Sequence, residues 1–156
     1  MNADFVLAPM CALDLDRAAG LHARAFGPLG ERGWTRQDVA GLLAAPGVAG
    51  FLLTAGTSDI GMAICRVAAD EAELLTIAVD AAYRRRGAGR LLLAAVIDHV
   101  RSAGARSLFL EVGADNPAAY SLYVSRDFAK VGRRMAYYAR ADLPPADAVV
   151  MRLALN

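Results

Sequence analysis

Residues 83–93 read YRRRGAGRLLL, with three arginines in front of a Gly-Ala-Gly turn and a leucine-rich run. The apolar letters TIAV at 76–79 precede this stretch, so the pattern predicts a strand, a basic loop and a helix that starts near Gly89. Backbone N–H groups in the first turn of a helix lack intrahelical acceptors and lie at the positive end of the helix dipole. Because the glycines let a ligand approach the backbone and the arginines add charge, the stretch predicts a site for phosphate or pyrophosphate.

Two familiar nucleotide motifs do not fit this loop. GAG is followed by RLL, whereas a Rossmann fingerprint needs a third glycine, and Gly-x-x-x-x-Gly-Lys-[Ser/Thr] occurs nowhere in the chain. On spacing alone, a solvated basic turn before a glycine helix start is the alternative. The chain carries 17 basic and 16 acidic residues, with a formal charge of +1. This balance lacks the broad basic excess of a nucleic-acid binder, so we expect no direct nucleic-acid binding.

Length and composition favour one folded domain over residues 1–156, with 56% hydrophobic residues. Cys11 and Cys65 are the only cysteines and form no Cys-x-x-Cys or Cys/His cluster, so we expect two reduced core thiols and no metal site. The N-terminus lacks the basic segment of a secretory signal, which makes the cytoplasm the expected location. Residues 39–58 carry no charge and are long enough to cross a bilayer. Pro46 and several glycines break them, however, so we expect a helix end, a turn and a strand, and no membrane partner.

The remaining periodicities predict an α+β fold in the order β-α-α-β-β-β-α-β-α-β-β. The runs GFLLTA, IGMAICRVA and AELLTIAV are short, apolar and closely spaced, as in an antiparallel meander. Thr35 and Asp38 resemble a capping box at the start of the second helix. Gly104 suits the end of the third helix, and Asn116 with Pro117 suits the start of the fourth. We therefore expect a mixed central sheet flanked by helices.

The letters IAVDAAYRRRGAGRLLL resemble the acetyl-CoA-binding motif of the GNAT superfamily of N-acetyltransferases. In that motif Arg/Gln-x-x-Gly-x-Gly/Ala lies between a strand and a helix, and Arg84, Gly87 and Gly89 fill its defined positions. The resemblance implies a GNAT-like fold and acetyl-CoA as cofactor. It also implies a backbone N–H for the carbonyl oxygen, exposed at a bulge that fits Ile77 to Val79. The expected cofactor-binding residues are Ile77, Ala78, Val79, Arg84, Arg85, Arg86, Gly87, Ala88, Gly89, Arg90 and Asn116.

Within the superfamily, the runs LEVGADNPAAYSLYVSRDF, RRMAYY and DAVVMRLAL resemble the bacterial ribosomal-protein-alanine N-acetyltransferases. DEAELLTIAVD and the Trp34-Thr35 pair fit as well, so the resemblance spans roughly residues 5–155. It implies that the acceptor is the N-terminal alanine of a ribosomal protein. Three short departures touch the acceptor side: GADN replaces the usual RASN, SRDF replaces SLGF and so puts Asp127 where glycine is common, and RGW replaces FPW.

Glu111 and Tyr123 are the candidate catalytic residues. Glu111 lies in the apolar run LFLEV, where the strand could partly desolvate its carboxylate; a carboxylate on the wet face of a strand is the alternative. Tyr123 follows Asn116 by seven residues, about two helical turns, so both lie on one helix face. By its letters alone Tyr123 would be a core aromatic residue. The resemblance makes Glu111 the proton acceptor, Tyr123 the proton donor to the coenzyme A thiolate, and Asn116 a cofactor contact.

Several alternatives stay open at this point. Neither cysteine belongs to a nucleophile–base arrangement, so direct transfer is expected, and His22 and His99 are expected to be structural. Tyr137 and Tyr138 suit either ordinary strand positions or the wall of the acceptor groove. A small-molecule amine, such as a polyamine, an amino acid or an antibiotic, is the alternative acceptor, and a non-catalytic acyl-CoA-binding module is the alternative class of protein. A monomer or weak dimer is expected.

Overall fold

The computed structural model describes residues 4–138 and 145–156, with the backbone alone for Tyr138. Its elements follow the order predicted from the sequence, with short 3-10 turns between some of them. The strands are β1 Phe5–Pro9, β2 Val48–Ala55, β3 Ser58–Ala68, β4 Glu71–Val79, β5 Ser107–Gly113, β6 Ala129–Tyr138 and β7 Ala146–Ala154. The helices are α1 Leu15–Phe26, α2 Arg36–Ala44, α3 Ala88–Ser102 and α4 Pro117–Ser125.

The seven strands form one sheet in the order β1-β2-β3-β4-β5-β7-β6. The meander β2-β3-β4 is antiparallel, as predicted, and β7 lies antiparallel between β5 and β6. Among the described strands, only β4 and β5 pair in parallel, because α3 carries the chain back to the starting edge between them. Their ladder has three residue pairs, from Glu71–Ser107 to Glu73–Phe109. Beyond these pairs the two strands separate.

Helices cover both faces of the sheet, and each face has its own apolar core. On one face α1 and α2 pack through residues such as Leu21 and Val39 against Met62 and Ile64 of β3. On the other face α3 and α4 pack against residues of β3, β4, β5 and β7 that alternate with the first set. We call these the α1 face and the α3 face.

The predicted helix boundaries are confirmed. Thr35 Oγ1 accepts from the Asp38 N–H at 3.1 Å and Asp38 Oδ2 accepts from the Thr35 N–H at 2.8 Å, a complete capping box. Asn116 Oδ1 caps α4 by accepting from the Ala119 N–H at 3.2 Å. Gly104 follows α3 with φ +92°, a left-handed conformation that glycine adopts without a Cβ clash.

Residues 39–58 form the end of α2, a turn and β2, as predicted. Among the described residues, no helix is both long and apolar enough to span a bilayer. The prediction of two core thiols is right for Cys65 and wrong for Cys11. Cys65 is fully buried in β3, and burial raises its pKa to about 11. Cys11 is exposed because it lies in the turn after β1, where its N–H donates to Asp14 Oδ2 at 2.8 Å.

A bulge in β4 lies earlier than predicted. The register with β3 shifts between Leu74 and Thr76, so Leu75 is the extra residue, and Ile77 to Val79 continue a regular ladder. One extra residue exchanges the two faces of a strand. Leu74 accordingly packs on the α3 face and Leu75 on the α1 face, and after the bulge Ile77 points to the α3 face. The bulge therefore stands where β4 begins to leave β5.

Candidate active site

A cavity of about 420 Å³ occupies the gap between β4 and β5. Its walls come from both faces of the sheet, since α1 and the loop after it contribute on one side and α4 on the other. The gap is therefore open to two ligands approaching from opposite faces. The described residues that form its walls include His22, Phe26, Trp34, Thr76, Ile77, Glu111, Asn116, Ala119, Tyr123 and Tyr137.

Glu111 belongs to the α1 face of β5, because its neighbours Leu110 and Val112 are buried in the core of the α3 face. Its side chain is 19% exposed, and its Oε1 is paired with Arg134 Nε at 2.9 Å. The guanidinium of Arg134 also lies 5.0 Å from the centre of the Tyr137 ring. Sequence reasoning did not identify Arg134 as this partner, because β7 lies between β5 and β6 and no local spacing connects the two residues.

Tyr123 and Asn116 both lie on the cavity wall, as their spacing on one helix face predicts. The Tyr123 ring is 4% exposed and packs at 5.7 Å from the ring of Phe128, so it is a core residue as well as a cavity residue. Asn116 caps α4 at the same edge. The cap fixes the start of α4, and the helix then carries the Tyr123 side chain to the gap.

The basic glycine loop ends on the N-terminus of α3. Gly87 has φ +86°, and the first helical hydrogen bond runs from the Leu91 N–H to the Gly87 carbonyl at 3.0 Å. The amides of Ala88, Gly89 and Arg90 precede that bond and have no intrahelical acceptor. A Cβ placed on Gly87 would meet no protein atom within 4 Å, so the space beside the loop is open. This loop fits a phosphate or pyrophosphate group.

The arginines before the loop are exposed but not equivalent. Arg84 Nε donates to the Val79 carbonyl at 3.4 Å, which fastens the loop to the end of β4. Arg86 stacks on Tyr83, with 5.4 Å from its guanidinium to the ring centre. Arg85 has φ +61°, an uncommon conformation for a residue with a side chain. The phosphate loop is thus held by contacts on both sides of Arg85.

The strand residues expected at the site divide between cavity and core. Thr76 and Ile77 line the cavity, whereas Ala78 is 3% exposed in the core of the α1 face. The β4–β5 ladder ends at Glu73 and Phe109, so in the described structure the β5-facing backbone after the bulge has no strand partner. An amide on that edge is available to a ligand in the gap.

His22 has a structural role, as expected, and it also lines the cavity. Its Nδ1 accepts from the Trp34 N–H at 3.0 Å, its ring stacks on the Trp34 ring at 4.2 Å, and both residues line the cavity. Burial lowers the pKa of His22 from 6.5 to about 4, and the Arg32 guanidinium acts in the same direction. The neutral ring therefore holds the loop after α1 against the cavity. The twelve-residue separation of His22 and Trp34 gave no sequence signal for this contact; His99 packs edge-on against Phe51, away from the gap.

One departure from the expected family pattern has a visible consequence. Asp127, where glycine is common, adopts φ +69° in the turn between α4 and β6. Glycine enters that region without a Cβ penalty, whereas aspartate tolerates it at a small cost.

Comparison with known proteins gives consistent matches. The sequence profile of the acetyltransferase (GNAT) family matches residues 15–128. A ribosomal protein bS18-alanine N-acetyltransferase of Escherichia coli strain K12 is 42% identical over 106 residues, which are 68% of this chain and 71% of the relative. The N-alpha-acetyltransferase RimI of Mycobacterium tuberculosis is 36% identical over 143 residues, 89% of this chain and 85% of the relative. The crystal structure of the ribosomal-protein-S18-alanine N-acetyltransferase from Escherichia coli has a TM-score of 0.88 and 33% identity, covering 98% of this chain and 95% of its own.

The pKa of His22 predicts a pH-dependent stability. Between pH 6.5 and about 4 the unfolded chain binds a proton on His22 that the folded chain refuses, so folding stability falls as the pH is lowered through this window. His22→Asn keeps an acceptor near the position of Nδ1 and should flatten the decline of Tm between pH 7 and 4. His99→Asn is the matched control and should decline like the wild type. Parallel Tm profiles for the wild type and His22→Asn would contradict the assignment.

Proposed function

The chain belongs to the GNAT family of acetyltransferases, and from this premise we propose that it transfers the acetyl group of acetyl-CoA directly to the N-terminal α-amine of a ribosomal protein that begins with alanine. Family membership makes it an N-acetyltransferase that depends on acetyl-CoA. The name of the Escherichia coli relative supports the N-terminal alanine of a ribosomal protein as the acceptor, and the name of the Mycobacterium tuberculosis relative supports an N-terminal α-amine. Such an acceptor would place the enzyme in the cytoplasm.

One observation carries the proposal: a single cavity joins Glu111 on one face of the sheet to Tyr123 on the other. A transfer between two substrates needs a proton acceptor beside the incoming amine and a proton donor beside the departing group. The sheet itself separates these two roles. The phosphate loop before α3 lies at the end of β4, the strand that forms one side of the gap.

The described residues fit acetyl-CoA. The amides of 88–90, together with Arg84 to Arg86, would hold its pyrophosphate, and the gap between Ile77 and Asn116 would hold its thioester arm. Glycine at 87 keeps that loop open to the phosphates. When bound, acetyl-CoA supplies an activated acetyl thioester.

The acceptor amine must be neutral to attack. A peptide α-amine has an ordinary pKa of about 7.7–8.0, so near neutral pH its neutral form is only slightly less stable than the ammonium; a lysine side chain, at about 10.4, would demand more. Glu111 is the residue that would accept the proton. As the carbon–nitrogen bond forms and the carbon–sulfur bond breaks, Tyr123 would give its hydroxyl proton to the departing coenzyme A thiolate. The nitrogen would then lose its second proton, which restores the Tyr123 hydroxyl. A backbone amide of β4 after the bulge, within 77–79, would donate to the acetyl carbonyl oxygen, a contact worth a few kcal/mol of barrier.

The shape of the acceptor side favours a polypeptide over a small amine. A second cavity of about 330 Å³ lies on the α1 face and shares Leu110 and Glu111 with the first. Glu71 and Glu73 line it beside Arg66 and Arg134, and Glu73 pairs with Arg66 at 2.9 Å. The two adjoining cavities therefore offer an extended chain both carboxylate and guanidinium groups. A small amine would be better bound by one closed pocket.

Glu111→Gln and Tyr123→Phe should each lower turnover by about a hundredfold or more while leaving acetyl-CoA affinity nearly unchanged. The variants keep the size of the side chains but remove the base and the acid. Turnover is measured as coenzyme A release with a saturating acceptor, and affinity by calorimetry.

Two matched controls accompany them. Asp59→Asn removes a strand carboxylate that is also paired with an arginine, Arg17 at 2.9 Å, and lies away from both cavities; Tyr120→Phe removes an exposed hydroxyl from α4. Both controls should turn over at close to the wild-type rate. Wild-type turnover in Glu111→Gln and Tyr123→Phe would refute the catalytic assignment.

Gly87→Glu should weaken acetyl-CoA binding by about a hundredfold or more, because the new carboxylate meets the pyrophosphate. Gly104→Glu is the control, since Gly104 also has positive φ and open space but lies at the other end of α3. Both variants bear similar backbone strain, and only the first should lose affinity in calorimetry. Equal affinities in the two variants would refute the phosphate-loop assignment.

A further inference from the structure

Strand β6 contains an insertion directly opposite Asp147 of β7. Arg134 pairs with Ala148 and Tyr138 pairs with Ala146, so three residues, Met135 to Tyr137, face the single residue Asp147. Extra residues bend a strand and interrupt its ladder. The backbone groups of the insertion therefore need hydrogen-bond partners outside the ladder.

The Asp147 side chain supplies such a partner. Oδ1 accepts from the Ala136 N–H at 2.7 Å, and Oδ2 accepts from Arg133 at 2.8 Å from Nε and 2.6 Å from Nη2. Ala136 has φ +50°, a conformation that costs about 1 kcal/mol or more in a residue with a side chain. The amide of Ala136, and then Arg133, hold the pKa of Asp147 below its ordinary value. The folded chain thus stabilises the charged carboxylate, and the carboxylate stabilises the insertion.

The insertion determines how two side chains of β6 face the site. Arg134, just before it, reaches the Glu111 carboxylate at 2.9 Å, and Tyr137, within it, lies on the wall of the central cavity. The two are in contact with each other, with the guanidinium of Arg134 5.0 Å from the ring centre of Tyr137. A regular β6 would turn alternate residues away from this wall. The insertion therefore determines what an acceptor meets beside Glu111.

Asp147 also touches the opposite wall through its backbone. Its carbonyl accepts from the Ala114 N–H at 2.8 Å, in the loop that leads to Asn116 and α4. A side-chain substitution leaves that backbone hydrogen bond in place. The contribution of the carboxylate to the β6 insertion can therefore be tested separately.

We propose that Asp147 is a positioning residue for the acceptor: its carboxylate holds the insertion 135–137 so that Arg134 and Tyr137 form the acceptor wall beside Glu111. This inference rests on the proposed function, since it takes Glu111 as the base. Asp147 touches neither substrate and acts through the shape of β6. It should govern acceptor binding and leave acetyl-CoA binding on the α3 face unaffected.

The test is steady-state kinetics with an alanine-starting basic peptide. Asp147→Ala should raise the KM for the peptide by about tenfold or more, with the affinity for acetyl-CoA within about twofold of wild type. Asp147→Asn keeps an oxygen for the Ala136 N–H and should restore part of the loss. Asp147→Asn also serves as the test variant should Asp147→Ala fail to fold.

Asp59→Ala is the matched control. Asp59 pairs with Arg17 through Nε at 2.9 Å and has a similar side-chain exposure, 22% against 16% for Asp147, but lies near the β2–β3 turn. It should leave the KM for the peptide unchanged. Adding Asp147→Ala to Tyr137→Ala should raise that KM by no more than about twofold, because one wall would already be lost.

An unchanged KM in Asp147→Ala, equal losses for both substrates, or independent effects of Asp147 and Tyr137 would overturn the proposal. Failure of the acceptor assignment looks different. In that case the wild type would acetylate a small amine and no peptide, and the same KM comparison would be made with that amine. The role of Asp147 is then decided by that comparison alone.

Discussion

Parallel pairing between β4 and β5 stops after three residue pairs, and the site depends on the gap that opens beyond them. The extra residue Leu75 exchanges the faces of β4 at that point. Each of the two strands is followed by a helix, α3 or α4, whose N-terminus returns to the same edge of the sheet. Ligands bind at the carboxyl ends of diverging parallel strands in many open sheets for this reason. Here the phosphate loop follows β4 and the capped helix α4 follows β5 at the same edge.

The electrostatics of the site are local. A chain with a formal charge of +1 concentrates exposed arginines before α3, and on the opposite face carboxylates and arginines together line the acceptor groove. Glu111 is held by Arg134, and β6 is held in turn by Asp147. The neutral ring of His22 holds the Trp34 loop on the remaining side. The arginines before α3 thus attract the anionic acetyl-CoA, and the carboxylates on the other face attract a cationic amine.

Local signals predicted most of the fold. Apolar periodicity gave the element order, and the caps at Thr35, Asn116 and Gly104 gave the helix boundaries, because these features act within a few residues. The sequence of the glycine loop likewise predicted a phosphate-binding loop before α3. The bulge at Leu75 was placed too late, since it reflects how two distant strands separate. The exposure of Cys11 and the partners of Glu111 and His22 also depend on tertiary contacts between residues far apart in the chain. Roles for Glu111 and Tyr123 came from resemblance, because spacing alone described a surface carboxylate and a core tyrosine.

The most direct test of the account is mass spectrometry of two peptides incubated with the protein and acetyl-CoA. One is a basic peptide with the alanine-starting N-terminus of a ribosomal protein, and the other is the same peptide with its N-terminus blocked. If the protein is an N-terminal acetyltransferase, the free peptide alone gains the mass of one acetyl group. No gain on either peptide, with coenzyme A still released when a panel of small amines is supplied, would contradict it and assign the groove beside Glu111 to a small-molecule acceptor.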